Sequence, residues 1–280
     1  MTVRTIAVHL NRLTRAADVL ASAISLARRF KAHLIGLCAF PGVPNHMPLT
    51  MPATAHMLAE VMQEQDKEIA GIETLFSTLT AGEPITAEMV SVRARHSDLA
   101  AAVLEHARAA DLVVAGQRDL AWDLGPVLEF PERLAIEAGR PVLLIPRDMK
   151  RGVGPFSAVM VAWNGSREAA RAAFDAVALL DGSAQIRIVA IDPDKPGAAK
   201  GAPASVLAAA LARHGFKADV RTLEVGERSV PATLREEALL MGADLVVMGA
   251  YGHSRLRELV FGGVTRSMAA DMPAPILFSH

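Results

Sequence analysis

The sequence predicts an α/β protein, and three observations carry that prediction. Short valine-rich apolar runs alternate with stretches of helical spacing along the whole chain. The pattern is played twice, with matching segments in the two halves. The composition, 51% hydrophobic and 21% charged over 280 residues, is that of a folded globular chain. Alternating strands and helices imply a mostly parallel sheet covered by helices on both faces. Right-handed crossovers then place a ligand crevice beyond the carboxyl ends of the strands, where strand order reverses.

The elements follow in order most clearly in the second half. Ser157 to Ala162 is a short apolar strand. Arg167 to Leu180 has helical spacing, with Ala170, Ala173, Phe174, Val177 and Leu180 on one face. Ile186 to Ile191 is a strand, and Val206 to His214 is a helix stopped at Gly215. Ala218 to Val225 alternates as a strand. Val230 to Met241 is helical and ends at Gly242, Leu245 to Met248 is a buried strand, and Ile276 to Ser279 closes the series. The first half repeats this order with an insert after its second strand, Pro41 to Pro52.

The duplication is visible residue by residue. Ala110-Asp111-Leu112-Val113-Val114-Ala115-Gly116 and Ala243-Asp244-Leu245-Val246-Val247-Met248-Gly249 agree at six of seven positions. Ile6 to Asn11 parallels Val159 to Asn164, and Pro141-Val142-Leu143-Leu144-Ile145 parallels Pro275-Ile276-Leu277-Phe278. Two domains are expected, 1–148 and 156–280, with the charged, Gly- and Pro-bearing stretch 147–155 as linker. The apolar closing strands of the two halves are expected to pair with each other as an internal pseudo-dimer, hiding two open edges. A further homodimer is left open.

Charge and cysteine content narrow the function. With 29 Lys+Arg against 30 Asp+Glu there is no surplus to attract nucleic acid or anionic lipid, and 4% aromatics offer little base-stacking surface. Cys38 is the single cysteine, so neither a disulfide framework nor a cysteine-rich zinc site is expected. The start of the sequence shows no signal-peptide pattern and no apolar run of membrane-span length, so a cytoplasmic location is the expectation.

The chemistry concentrates between Met248 and Thr265. Gly249 and Gly252 follow a buried strand, and Gly262-Gly263-Val264-Thr265 opens a helix. Glycines admit close backbone approach, and the free N–H groups at a helix start attract phosphate. Gly, two residues, Gly, nine residues, Gly, then Gly263-Val264-Thr265 resembles the nucleotide-binding signature of the universal stress protein family. Ala162-Trp163-Asn164-Gly165-Ser166 resembles that family's turn from first strand to first helix, and Pro273 to Leu277 its closing strand. The duplicated layout resembles its tandem two-domain members.

That resemblance implies two doubly wound domains, each a five-stranded parallel sheet of order 3-2-1-4-5. It implies ATP, or ADP or AMP, over the strand ends of the second domain, with or without Mg²⁺. By position, Gly249 would approach the ribose and Gly252 the phosphates, and Met248 belongs to the same nucleotide-binding set. Gly262, Gly263, Val264 and Thr265 would cradle phosphate, Ala162, Trp163 and Asn164 would lie by the adenosine, and Ile191 by the adenine edge. Two departures stand out: Asn164 replaces the family's usual Asp, removing a charge that would support Mg²⁺ or ribose, and Gly263 replaces its usual Ser or Thr.

The first half departs further. Asp119 stands opposite Gly252, and Glu129-Phe130-Pro131-Glu132 opposite the Gly262 group. Two carboxylates repel phosphate and a proline has no N–H, so this half is expected to be a degenerate, non-phosphate site. His253, Arg255 and Arg257, and likewise Arg93, Arg95 and His96, read as solvated surface; His46 and His56 flank a Met- and Pro-rich insert without metal-ligand spacing. No Gly-Lys-Ser/Thr loop, no Gly-x-Ser-x-Gly elbow and no dinucleotide glycine turn is present. The expected function is stress-associated binding of an adenine nucleotide without turnover. Slow ATP hydrolysis or autophosphorylation stays open, and the competing reading is a scaffold or small-molecule sensor with vestigial glycines.

Overall fold

The computed structural model describes residues 2–41, 52–94, 98–118, 132–149, 152–192, 201–250 and 263–280. In the first half the order is β1 (Thr5–His9), α1 (Leu13–Phe30), β2 (His33–Pro41), α2 (Pro52–Thr80), β3 (Ala87–Ala94), α3 (Leu99–Ala107), β4 (Leu112–Gly116), α4 (Glu132–Glu137) and β5 (Val142–Ile145). The second half runs β6 (Phe156–Trp163), α5 (Arg167–Ala176), β7 (Leu180–Ile191), α6 (Ala204–Arg213), β8 (Lys217–Leu223), α7 (Val230–Leu240), β9 (Leu245–Gly249), α8 (Gly263–Ala270) and β10 (Ile276–Ser279).

These strands form one sheet of ten, ordered β3-β2-β1-β4-β5-β10-β9-β6-β7-β8. Each half keeps the order 3-2-1-4-5, and all pairs within a half are parallel. The halves meet where β5 and β10 run antiparallel, with Leu143 opposite Leu277 and Leu144 opposite Ile276. All four leucine and isoleucine side chains are fully buried. Because that junction is antiparallel, the carboxyl ends of β1 to β5 and of β6 to β10 lie on opposite edges of the sheet.

Local chemistry explains the helix limits. Ser166 caps α5 by accepting from the Ala169 amide, Ser229 caps α7 through Ala232, and Asp98 caps α3 through Ala101. α5 buries Ala169, Ala172, Ala173 and Ala176, whereas Phe174 is largely exposed and rests edge-on against His214. The apolar face expected through Phe174 is therefore rotated toward the small residues, because alanines let the helix lie close to the sheet. A short 3-10 turn, Val177–Leu179, ends it.

The described residues just after the join, Gly152 and Val153, are packed against α1. Val153 is buried, its carbonyl accepts from Ser25 Oγ at 2.6 Å, and a Cβ on Gly152 would stand 2.7 Å from the Ala21 carbonyl oxygen. Arg29, near the end of α1, donates to the carbonyls of Leu179 and Leu180 in the other half. No helix among the described residues is long and apolar enough to cross a membrane.

Candidate nucleotide site

The second half's strand order reverses between β6 and β9, and the ends of these two strands define the crevice. Ala162 lies beside Met248 in register, and Trp163 beside Ala190 of β7. Side chains alternate between faces along a strand. Ala162, Ile191, Met248 and Val264 pack in one apolar cluster, on the side covered by α7 and α8. Trp163 belongs to the cluster on the other side, and its indole N–H donates to the Ala202 carbonyl at 2.7 Å. Its side chain thus fixes the 201–203 segment, and the backbone is what Trp163 presents at the strand end.

The turn after β6 is tightly built. Asn164 Oδ1 accepts from the Ser166 amide at 3.1 Å, so its side chain closes the turn locally. Gly165 has φ +73, and a Cβ there would stand 2.5 Å from Gly201 Cα. Two glycine backbones therefore cross where any side chain would part them. Asp192, just beyond Ile191, accepts from the Val225 amide.

Gly249 ends β9 against the first turn of α5: a Cβ would lie 2.5 Å from the Ala169 nitrogen and 2.6 Å from the Glu168 carbonyl carbon. Packing alone requires glycine there, a reason the sequence did not reveal. Glu168 is buried in the same turn. Burial disfavours its ionisation, but hydrogen bonds from Arg167, the backbone and Ser166 prevail and hold its carboxyl below the ordinary range. The start of α5 is thus already occupied by a carboxylate.

The start of α8 differs. Its first turn carries no acidic residue. Gly263 is exposed, with none of the described residues within 4 Å of where a Cβ would stand, while Thr265 is buried. Helix amides and a first turn without acidic residues suit a phosphate. Gly252, Gly262, His253, Arg255 and Arg257 lie outside the described residues, as do Asp119, Glu129, Pro131, Arg95, His96 and His46. Arg93 pairs with Asp66, and His56 is an exposed helix residue beside Glu60.

A family model described as the universal stress protein family matches residues 155–280. The second half of the chain belongs to the universal stress protein family. The whole chain is similar in fold to a universal stress protein from Archaeoglobus fulgidus DSM 4304, with TM-score 0.69 and 16% identity over 98% of this chain and 95% of that one. It is also similar to a functionally unknown protein from Pseudomonas aeruginosa PAO1, with TM-score 0.51 and 13% identity over 99% and 92%. The cytoplasmic domain of a prokaryotic cation chloride cotransporter aligns with TM-score 0.51 and 12% identity over 98% and 94%. These likenesses concern the fold, which one architecture lends to different roles. No curated protein matches the sequence. In the universal stress protein half, Ala162, Met248 and Gly249 stand together at adjacent strand ends, and Gly263, Val264 and Thr265 form the first turn of the helix that follows the glycine loop.

Proposed function

We propose that the second half binds ATP or a related adenine nucleotide and that the protein acts through the bound state rather than turnover. The observation that carries this reading is the glycine pattern from Gly249 through Gly252 to Gly262, which leads from β9 into the acid-free first turn of α8. A phosphate there meets backbone N–H groups and the positive end of the helix. Ala162, Met248 and Ile191 supply apolar surface for an adenosine moiety. Asn164, neutral and engaged in its own turn, contributes no charge toward Mg²⁺. Titration calorimetry with ATP tests the reading: one site per chain is expected. Gly252→Asp should weaken it sharply by adding bulk and negative charge beside phosphate. Two equivalent sites, or an unchanged Gly252→Asp variant, refute the assignment.

One observation favours the second reading, a scaffold or sensor without nucleotide. The need for glycine at 249 is met by packing against α5 whether or not a ligand is present. Mass spectrometry of the supernatant from gently purified, then denatured protein separates the two, since only the first expects adenine nucleotide.

A further inference from the structure

In the first half strand order reverses between β1 and β4, the place where a ligand crevice is expected beyond the strand ends, and two arginines follow those ends. β1 and β4 pair up to His9 opposite Ala115. Arg12 and Arg118 each lie three residues beyond that pair, so they leave adjacent strands at the same level. Both are partly buried, and the Nε atom of each is shut off from solvent with no hydrogen-bond partner among the described residues. Neighbouring arginines are committed by contrast. Arg15 donates to the carbonyls of Pro146 and Arg147, and Arg133 holds Asp98 and Glu137.

A shielded guanidinium N–H without an acceptor is costly, and two at one strand-order reversal require an explanation. Nε–H forms one side of the fork by which a guanidinium grips an oxyanion in bidentate fashion. The start of α1 is not the attractant, because Glu68 already accepts from the Leu13 amide at 2.7 Å. His9, at the end of β1, is buried and neutral, so the positive charge at these strand ends belongs to the arginines. The duplicated positions in the second half are Gly165 and Tyr251, so the pair is peculiar to the half without the glycine pattern.

We propose that the first-half crevice is a separate binding site, in which Arg12 and Arg118 grip the oxyanion group, carboxylate or phosphate, of a small ligand. Side-chain forks here take the part that backbone amides play in the other half.

The test uses the full chain and two probes, inorganic phosphate and succinate, in titration calorimetry at low salt. Saturable binding of at least one probe is expected, and which one binds identifies the group. Arg12→Gln and Arg118→Gln should each weaken it by about tenfold or more, a step of one decade in Kd. Arg12→Lys, which keeps the charge and loses the fork, should fail almost as badly. Gly252→Asp should leave this binding unchanged even where it abolishes ATP binding, which separates the two sites. Arg12→Gln should melt no lower than the parent without ligand, since it removes an unsatisfied donor. Absence of saturable binding by both probes overturns the proposal. So does binding that survives Arg12→Gln and Arg118→Gln, or that disappears with Gly252→Asp.

Discussion

A Cβ built on Gly263 meets none of the described residues within 4 Å. Serine therefore fits there without displacing any of the described residues and returns the hydroxyl donor that the family pattern carries at this position. A hydrogen bond to a charged group is worth about 1.5–3 kcal/mol, so Gly263→Ser should tighten ATP by roughly tenfold or more. Calorimetry reads this directly, and a weaker or equal Kd would remove phosphate from this turn. Gly249 behaves oppositely. Its Cβ would collide with the backbone of α5, so Gly249→Ala should cost about 1–3 kcal/mol of stability, the usual range for overpacking. Denaturant unfolding without ligand measures it. Both glycines belong to one sequence motif, and only the three-dimensional neighbours separate the one that opens space from the one that fills it. His9 adds a pH signature. Burial pushes it down from 6.5 to about 3. Between those values the unfolded chain binds a proton that the folded chain refuses, so stability is complete above 6.5 and falls as pH drops toward 3. The slope contributed is up to about 1.4 kcal/mol per pH unit. His9→Asn should flatten the acid limb by that slope between pH 6 and pH 4, whatever its cost at pH 7; an unchanged slope would place the acid sensitivity elsewhere.

Elements were legible where periodicity and stop signals agreed. β9 and β10 lie within a residue of the expected strands because these apolar runs are too short for a helix and are bounded by Gly242 and Gly249 and by Pro275. α7 ends one residue early at Leu240, in front of the expected Gly242 stop. The exact facing of α5 was not legible. Alanines score weakly in any apolar pattern, so Phe174 drew the expected face toward itself, yet close approach to the sheet selected Ala169, Ala172 and Ala176. β7 begins at Leu180, six residues before the expected Ile186, because Leu180 pairs with Phe156 across an irregularity in register. Such pairing depends on a strand distant in sequence and leaves no local trace. In the site, strand ends and the helix start were readable from spacing, whereas the opposite facing of Ala162 and Trp163 required the register of β6 to be known. The pairing of Arg12 with Arg118 was not legible either, because they lie about a hundred residues apart and only the β1–β4 register brings them level.

At the scale of the molecule the two halves share more than a seam. β5 and β10 pair through buried leucines, α1 receives the joining stretch through Gly152 and Val153, and Arg29 reaches across to Leu179 and Leu180. Gln117, just past β4, donates to the Ala270 carbonyl and accepts from the Arg147 amide, tying the end of α8 to the stretch after β5. With so many ties, exposing β5 would also expose β10, and neither half would keep a closed core. A charge placed at the junction should then unfold both. Leu277→Asp buries an uncompensated carboxylate opposite Leu143, at a cost of several kcal/mol. Leu144→Asp does the same from the other side, opposite Ile276. Hydrogen exchange at Val8 in β1 and Val161 in β6 reports on the cores of the two halves, each probe two strands away from the substituted strand of its own half. Both amides should lose protection together, by the same free energy, in either variant. If Leu277→Asp released Val161 alone and left Val8 protected, each half would be an independent folding unit, and the continuous sheet would be a contact between two domains rather than a shared core.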